Sequence, residues 1–199
     1  MKIIYNKLNE NQVEAGLDEA GRGPLIGRVY AAVVNWGHTP INDNVMDSKK
    51  LSRKKRGEVL KWIQQNVDEW AVGYVEPDEI DSINILEATK LAMLRALEQL
   101  EFKPDYLIID GVGWEKKIQS YNIKSIIKGD ANYYSIAAAS IIAKEYHDDH
   151  IKTLCINHPE LVEKYDLLNN MGYGTRKHIE GIKKYGLSEF HRKSFKLKN

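Results

Sequence analysis

The stretch Val13-Glu14-Ala15-Gly16-Leu17-Asp18-Glu19-Ala20-Gly21-Arg22-Gly23-Pro24-Leu25 decides how the rest of this chain is read. Residues 13–17 form a short apolar run of strand type, and it ends on two acids, Asp18 and Glu19. A strand delivers its terminal side chains to the rim of a sheet, where solvent and ligands reach them. The glycines at 21 and 23 then let the backbone approach a ligand closely or take up positive φ, and Arg22 between them can hold a phosphate. A backbone exposed in this way can hydrogen-bond a ribose hydroxyl, the group that separates RNA from DNA. The competing reading is a plain tight hairpin into the next apolar run, residues 29–36. A phosphate-binding P-loop is excluded, because the Lys-Ser/Thr element is missing.

Working outward, further β-branched runs bounded by Gly, Pro, Asn or Asp lie at residues 70–75, 106–109 and 123–127, so five strands are expected. Helical spacing is clearest from Ile85 through Ala88, Ala92, Ala96 and Leu97 to Leu100, which puts a stripe of small residues on one face and predicts close packing on the sheet. Ser52 is placed to cap a helix ending near Gln65, a second begins at Asn132 or Tyr133 and runs to about Asn157, and a last one spans residues 176–185 between Thr175 and Gly186. Strands that come first as a close pair and then alternate with helices predict an α/β domain with a mixed sheet and a helical C-terminal part. The order of the strands does not follow from the pattern.

Two more acids repeat the arrangement of Asp18 and Glu19. Asp110 ends the run at 106–109, and Asp130, in Lys128-Gly129-Asp130, follows the run at 123–127. If these strands are neighbours pointing the same way, four carboxylates converge and repel one another, which raises their pKa values unless a cation intervenes. Carboxylate oxygens suit Mg²⁺ or Mn²⁺, and two such ions can serve phosphodiester hydrolysis. The alternative for each acid alone is a turn or a helix cap, and Asp130, just before a helix, is the most open to it.

Composition sets bounds. With 199 residues, 43% hydrophobic and 29% charged, one domain with a real core is expected and two would be cramped. The net charge of +1 is neutral on the question of a polyanionic partner, but its distribution is not: residues 176–199 carry Arg176, Lys177, Lys183, Lys184, Arg192, Lys193, Lys196 and Lys198 against Glu180 and Glu189. A second basic cluster comprises Lys49, Lys50, Arg53, Lys54, Lys55 and Arg56. One cysteine, Cys155, permits no internal disulfide and suits a reducing compartment, so the cytoplasm is expected. The longest uncharged apolar stretch, 131–143, is too short to span a bilayer, residues 1–10 lack a signal-like apolar core, and no membrane association is expected.

Taken in order, DEAGRGPL (18–25), DSKKLS (47–52), IIDG (108–111), KGD (128–130), AASIIAK (138–144), GYGT (172–175) and HRKSF (191–195) resemble the signature of ribonuclease HII over nearly the whole chain. The resemblance implies a ribonuclease H-like fold with a mixed five-stranded sheet flanked by helices, a single catalytic domain over 1–199, and a helical substrate-binding extension over about 158–199. It implies that Asp18, Glu19, Asp110 and Asp130 are the catalytic, metal-binding acids, holding two Mg²⁺ or Mn²⁺ ions. It assigns Gly21, Arg22 and Gly23 to the ribose 2′-hydroxyl at an RNA–DNA junction, and Tyr173 to stacking on the neighbouring deoxyribose. Lys49, Lys50, Lys128, Lys144, Arg192 and Lys193 are the expected phosphate contacts. The implied activity is endonucleolytic cutting of the RNA strand of RNA–DNA hybrids, and cutting 5′ to single ribonucleotides in duplex DNA, leaving 3′-hydroxyl and 5′-phosphate ends, by a monomer.

Three positions depart from the family pattern: Arg28 replaces a proline, Met171 stands where Lys is common before GYGT, and His147 stands where Arg is expected. None is one of the four acids, so activity is expected and only substrate affinity is affected. Two other readings are tested against this one: a different ribonuclease H-like nuclease such as a resolvase or transposase domain, against which the Gly-Arg-Gly and Tyr173 elements argue, and a catalytically silent nucleic-acid-binding module, against which the four intact acids argue. The C-terminal residues 195–199 give no instance of a clamp-binding peptide.

Overall fold

A computed structural model describes residues 5–8, 12–101 and 103–197 of the chain; Lys198 and Asn199 of the basic tail, and Met1, Lys2, Ile3, Ile4, Asn9 and Glu10 of the N-terminal stretch, lie outside the described residues. Five strands form one sheet in the order β3-β2-β1-β4-β5: β1 (Glu14–Ala20), β2 (Val29–Asn35), β3 (Glu69–Val75), β4 (Tyr106–Asp110) and β5 (Asn122–Ile126). β2 runs antiparallel to both of its neighbours, β3 and β1, whereas β1, β4 and β5 run parallel to one another. The sheet is therefore mixed, as the strand and helix pattern predicts.

Both faces of the sheet are covered. Helix α2 (Pro77–Leu97) lies on one face, packing Ala88, Ala92, Met93 and Ala96 on Ala15, Leu17, Val29, Ala31 and Val33. Helices α1 (Arg53–Asn66) and α3 (Tyr134–Asn157) cover the other face, against Ala32 and Val34. The strands β1, β2 and β4 are thus buried from both sides, which explains their near-continuous apolar runs. Close approach is set by two glycines. A Cβ on Gly73 would stand 2.1 Å from the Ala92 carbonyl of α2, and one on Gly16 would stand 2.6 Å from the Ile136 amide of α3. The small-residue stripe of α2 does pack closely, as its spacing predicts.

Several boundaries differ from the sequence expectation. β1 continues through Asp18 and Glu19 to Ala20, because Asp18, Glu19 and Ala20 still pair with Ala32, Ala31 and Tyr30 of β2. α2 begins at Pro77, well before Ile85: Glu76 and Glu79 form a reciprocal capping box around Pro77, and Asn84 at φ 70°, ψ 162° kinks the helix and breaks its periodicity. After α3 come α4 (Glu160–Tyr165), α5 (Leu167–Asn170) and α6 (Arg176–Tyr185), whose Leu161, Tyr165, Leu167 and Ile182 share a small core with Ile26, Ile151 and Cys155. Thr175 caps α6 by accepting from the His178 amide, and Ser52 caps α1 by accepting from the Lys55 amide. Among the described residues no helix is long and apolar enough to cross a membrane.

Candidate active site

The condition set by the sequence, three neighbouring strands pointing the same way, is met by β1, β4 and β5. Leu17 pairs with Ile109, so the next residues along, Asp18 and Asp110, sit side by side at the C-terminal ends of adjacent parallel strands. Asp110 in turn pairs with Ile126 at the end of β5, and the chain then turns through Lys128 in the left-handed region (φ 56°) into a 3₁₀ turn, Gly129–Ala131, that carries Asp130. The amide of Gly129 donates to Asp110 Oδ1 at 2.7 Å, fixing that turn against β4. Asp130 is not a helix cap: α3 is entered through Tyr133.

A cleft of about 470 Å³ opens at this end of the sheet, lined by Asp18, Glu19, Asp110, the loop at 21–23, and, from other elements, Lys49, Lys144 and Tyr173. Asp130 lies outside this lining, almost fully buried, on the β5 side of Asp110. Arg22 and Gly23 are exposed at the mouth and Tyr173 is 42% exposed, with its ring 3.3 Å from where a Cβ on Gly23 would be. The loop and the tyrosine thus face each other beside the acids. Lys50 and Lys128 are exposed and do not line the cleft.

The electrostatics are those of crowded carboxylates. Burial, then the charges of Glu19 and Asp110, hold the Asp18 carboxyl well above the usual range. Burial raises Glu19 as well, though Arg22, 3.0 Å away, pulls against it. Asp130 is raised by burial and by the charges of Asp110 and Asp47. Among the described residues no three His, Cys, Asp or Glu side chains are drawn into a ready metal cage; the acids turn to separate donors, Asp18 to the Glu19 amide at 2.7 Å, Asp110 to the Gly129 amide, and Glu19 to Arg22. The donor set consists of carboxylate oxygens, and the repulsion within it is what a divalent cation relieves, so these residues fit Mg²⁺ or Mn²⁺.

Charge is also organised by α3. Ser140, Lys144 and Asp148 recur every four residues and so share one helix face. Ser140 helps to hold the Asp18 pKa down against its burial and stands 2.9 Å from Ser48 Oγ, tying the DSKKLS segment to the acids. Asp148, buried, accepts from Lys144 Nζ at 2.6 Å, Arg56 Nη2 at 2.9 Å and His147 Nδ1 at 3.2 Å. Lys144, so held, lies 5.7 Å over the Tyr173 ring. Sequence reasoning passed over Ser48, Ser140 and the organising role of Asp148; the four-residue spacing on α3 was the available signal.

Arg192 needs correction. It was expected at a phosphate, but it is 1% exposed and all its N–H groups go to backbone carbonyls of the 21–28 loop. It shapes the loop and has no donor to spare for a phosphate. Arg28 likewise does not add a free charge to the cleft: Glu76 takes its guanidinium at 2.6 Å and the Tyr74 ring lies 4.1 Å beneath it. His147 is fully buried, and burial depresses its pKa; its Nε2, without a hydrogen-bond partner, lies against Gly21, and its edge meets the Tyr173 ring. Met171 closes α5 in the left-handed region at φ 49° and packs on the C-terminal core, away from the cleft.

Comparison with known proteins bears on the whole chain. A family model described as Ribonuclease HII matches residues 15–198. Ribonuclease HII of Parabacteroides distasonis is 45% identical over 195 residues, covering 98% of this chain and 96% of that one, and the Bacteroides fragilis protein is 46% identical over 190 residues, covering 96% and 92%. Among solved structures, the ribonuclease H2 of Pyrococcus horikoshii is 29% identical with a TM-score of 0.73, covering 92% of this chain and 94% of that one. The Archaeoglobus fulgidus RNase HII, solved in a complex with PCNA, is 25% identical with a TM-score of 0.74, covering 94% and 96%.

Proposed function

The chain belongs to the ribonuclease HII family of hydrolytic endoribonucleases, and we propose that it cuts the RNA strand of RNA–DNA hybrids and, in duplex DNA, the phosphodiester on the 5′ side of a single ribonucleotide. Carrying this reading is one observation: acids at the ends of β1 and β4 share a cleft with the Gly21-Arg22-Gly23 loop, exposed at Arg22 and Gly23, and with Tyr173. Asp18, Glu19, Asp110 and Asp130 would hold two divalent ions. Such ions, when bound, supply a water of lowered pKa and neutralise charge at the leaving oxygen.

The chain's own residues do the rest. The loop backbone at 21–23 presents amides and carbonyls to a 2′-hydroxyl, and the flat ring of Tyr173, opposite, suits a sugar that lacks one. Lys144 and Lys49 sit in the cleft where they orient the phosphate, while Lys50, Lys128 and Lys193 lie outside it and serve the flanking backbone with sequence-independent, salt-sensitive contacts. The 2′-hydroxyl is a recognition handle and not the nucleophile, so products carry 3′-hydroxyl and 5′-phosphate ends. The helical segment from about residue 158 to the C-terminus serves as the substrate-binding extension of one catalytic domain over residues 1–199. The lone cysteine, buried and free, supports work in a reducing compartment such as the cytoplasm, and the proposed working form is a monomer.

The decisive experiment is cleavage of a labelled DNA duplex containing one ribonucleotide, in Mg²⁺ and in Mn²⁺, with Asp18→Asn and an all-DNA duplex as controls. Cutting 5′ to the ribonucleotide is expected, lost in Asp18→Asn and absent on DNA. A 2′,3′-cyclic phosphate on the product would overturn the mechanism.

A further inference from the structure

Two surfaces are assigned above to the sugars, the loop at 21–23 and Tyr173, and they come from opposite ends of the chain. Their relative placement must be held to within a fraction of an ångström to tell one hydroxyl from none. Resting on that reading, we propose that the consecutive residues His191 and Arg192 are the positioning element that holds the loop and Tyr173 in register with each other.

Arg192 grips the loop from inside. Its Nε donates to the Gly27 carbonyl at 2.8 Å, its Nη1 to Pro24 at 2.9 Å and Arg22 at 3.3 Å, and its Nη2 to Gly21 at 2.7 Å and Arg28 at 2.9 Å. Five carbonyls pointing at one centre can be satisfied together by the five-donor planar fork of arginine and not by the three donors of lysine. The guanidinium therefore dictates the curvature of the segment that presents Gly21 and Gly23 to the cleft.

His191 reaches the other surface through a chain of fixed polarity. Its Nδ1 accepts from the Ser188 backbone N–H at 2.9 Å, so its proton resides on Nε2, which donates to His178 Nε2 at 3.1 Å. His178 then carries its own proton on Nδ1 and donates it to the Tyr173 carbonyl at 3.0 Å. Both imidazoles are buried, which lowers their pKa values, and as neutral rings only this pair of tautomers satisfies every nitrogen. The backbone closes the triangle: Gly27 N–H donates to Phe190, Arg192 N–H donates to Leu25, and Leu25 N–H donates to Gly172, the residue before Tyr173. Asp81 of α2 anchors the next turn of the tail, accepting from the Lys193 and Ser194 amides at 2.8 and 2.9 Å. The two sugar-facing surfaces thus share one mount.

Amide hydrogen exchange on the full chain, with Arg192→Lys, tests this without any assay of activity. Tenfold or greater loss of protection is expected at Leu25 and Gly27 and also at Tyr173 and Thr175, with the β1 amides unchanged; loosening confined to residues 21–28 overturns the coupling. Should Arg192→Lys melt too low to handle, His191→Gln probes the same link from the other side, and must loosen Leu25 and Gly27 as well as Tyr173. Kinetics on the one-ribonucleotide duplex supply the second readout. Arg192→Lys and Tyr173→Ala are each expected to lower kcat/KM tenfold or more with Arg192→Lys acting mainly on kcat, and the double variant to fall little below the worse single. Multiplied losses would show independent roles and defeat the proposal. If the unmodified chain cuts no ribonucleotide substrate, it is the proposed function that fails, and the exchange pattern still decides the coupling.

Discussion

Asp18 is a residue that the fold holds at a cost. It is almost fully buried, its neighbours across and along the strand are Asp110 and Glu19, and its pKa is well raised for those reasons. On the proposed function, activity and stability therefore pull apart at this position. In buffer with EDTA, Asp18→Asn is expected to be more stable than the parent by about 1 kcal/mol, a melting temperature a few degrees higher, while cleavage is abolished. Asparagine keeps an oxygen to accept the Glu19 amide, so that bond survives. Added Mg²⁺ is expected to raise the melting temperature of the parent and not of the variant; equal shifts in both would remove Asp18 from the metal site. At this scale the acids were legible in the sequence, since an acid directly after an apolar run has few other places to go than a strand end. Arg192 was not. Sequence gives its charge, but its burial depends on five carbonyls contributed by a loop at the other end of the chain.

Among the elements, α2 stores its peculiarity at Asn84, whose φ of 70° with ψ of 162° lies where glycine alone is at ease. Its side chain repays part of the strain: Asn84 Oδ1 accepts from the Leu86 and Glu87 amides at 2.9 and 3.2 Å and so caps the second half of the helix. Asn84→Ala loses the cap while the strain stays as it is in the parent, and is expected to destabilise by about 1–2 kcal/mol. Asn84→Gly loses the cap but relieves the strain, and should cost about 1 kcal/mol or less. Urea denaturation of the pair checks the order; equal losses would mean that the backbone at 84 carries no strain. The same kink explains why the start of α2 was illegible: periodicity restarts after Asn84, so the segment from Pro77 reads as a separate piece. The edges of the sheet are equally hidden in sequence. Arg95 and Gln99 donate to the outer carbonyls of β3 at Tyr74 and Val72, and Glu115 accepts from Ser125 on the outer edge of β5, which blunts both edges against pairing with another chain.

For the molecule as a whole, strand count and the mixed α/β layering followed from local pattern, whereas the order β3-β2-β1-β4-β5 came only with the structure, because register between distant strands is a non-local choice. The histidines raise a comparable whole-chain question, since their pH response depends on where burial leaves them. Burial pulls His150 and His191 down to about 4 and lowers His147 and His178 too. A depressed histidine binds its proton in the unfolded chain near pH 6.5 but not in the folded one, so its contribution is fully present above about pH 6.5 and is lost as pH falls toward 4. For His191 alone the loss at pH 5 is about 2 kcal/mol. The raised carboxyls of Asp18, Glu19 and Asp130 act in the opposite sense, gaining stability for the fold as they take up protons. They are common to the parent and to His191→Gln, so they cancel when the two are compared. Stability measured by denaturant at pH 7 and pH 5 is therefore expected to fall less in His191→Gln, by about 2 kcal/mol. An identical fall in both proteins would mean that His191 titrates alike in the folded and the unfolded chain, which a buried imidazole locked in the tautomer chain to Tyr173 cannot do, and that chain would have to be abandoned.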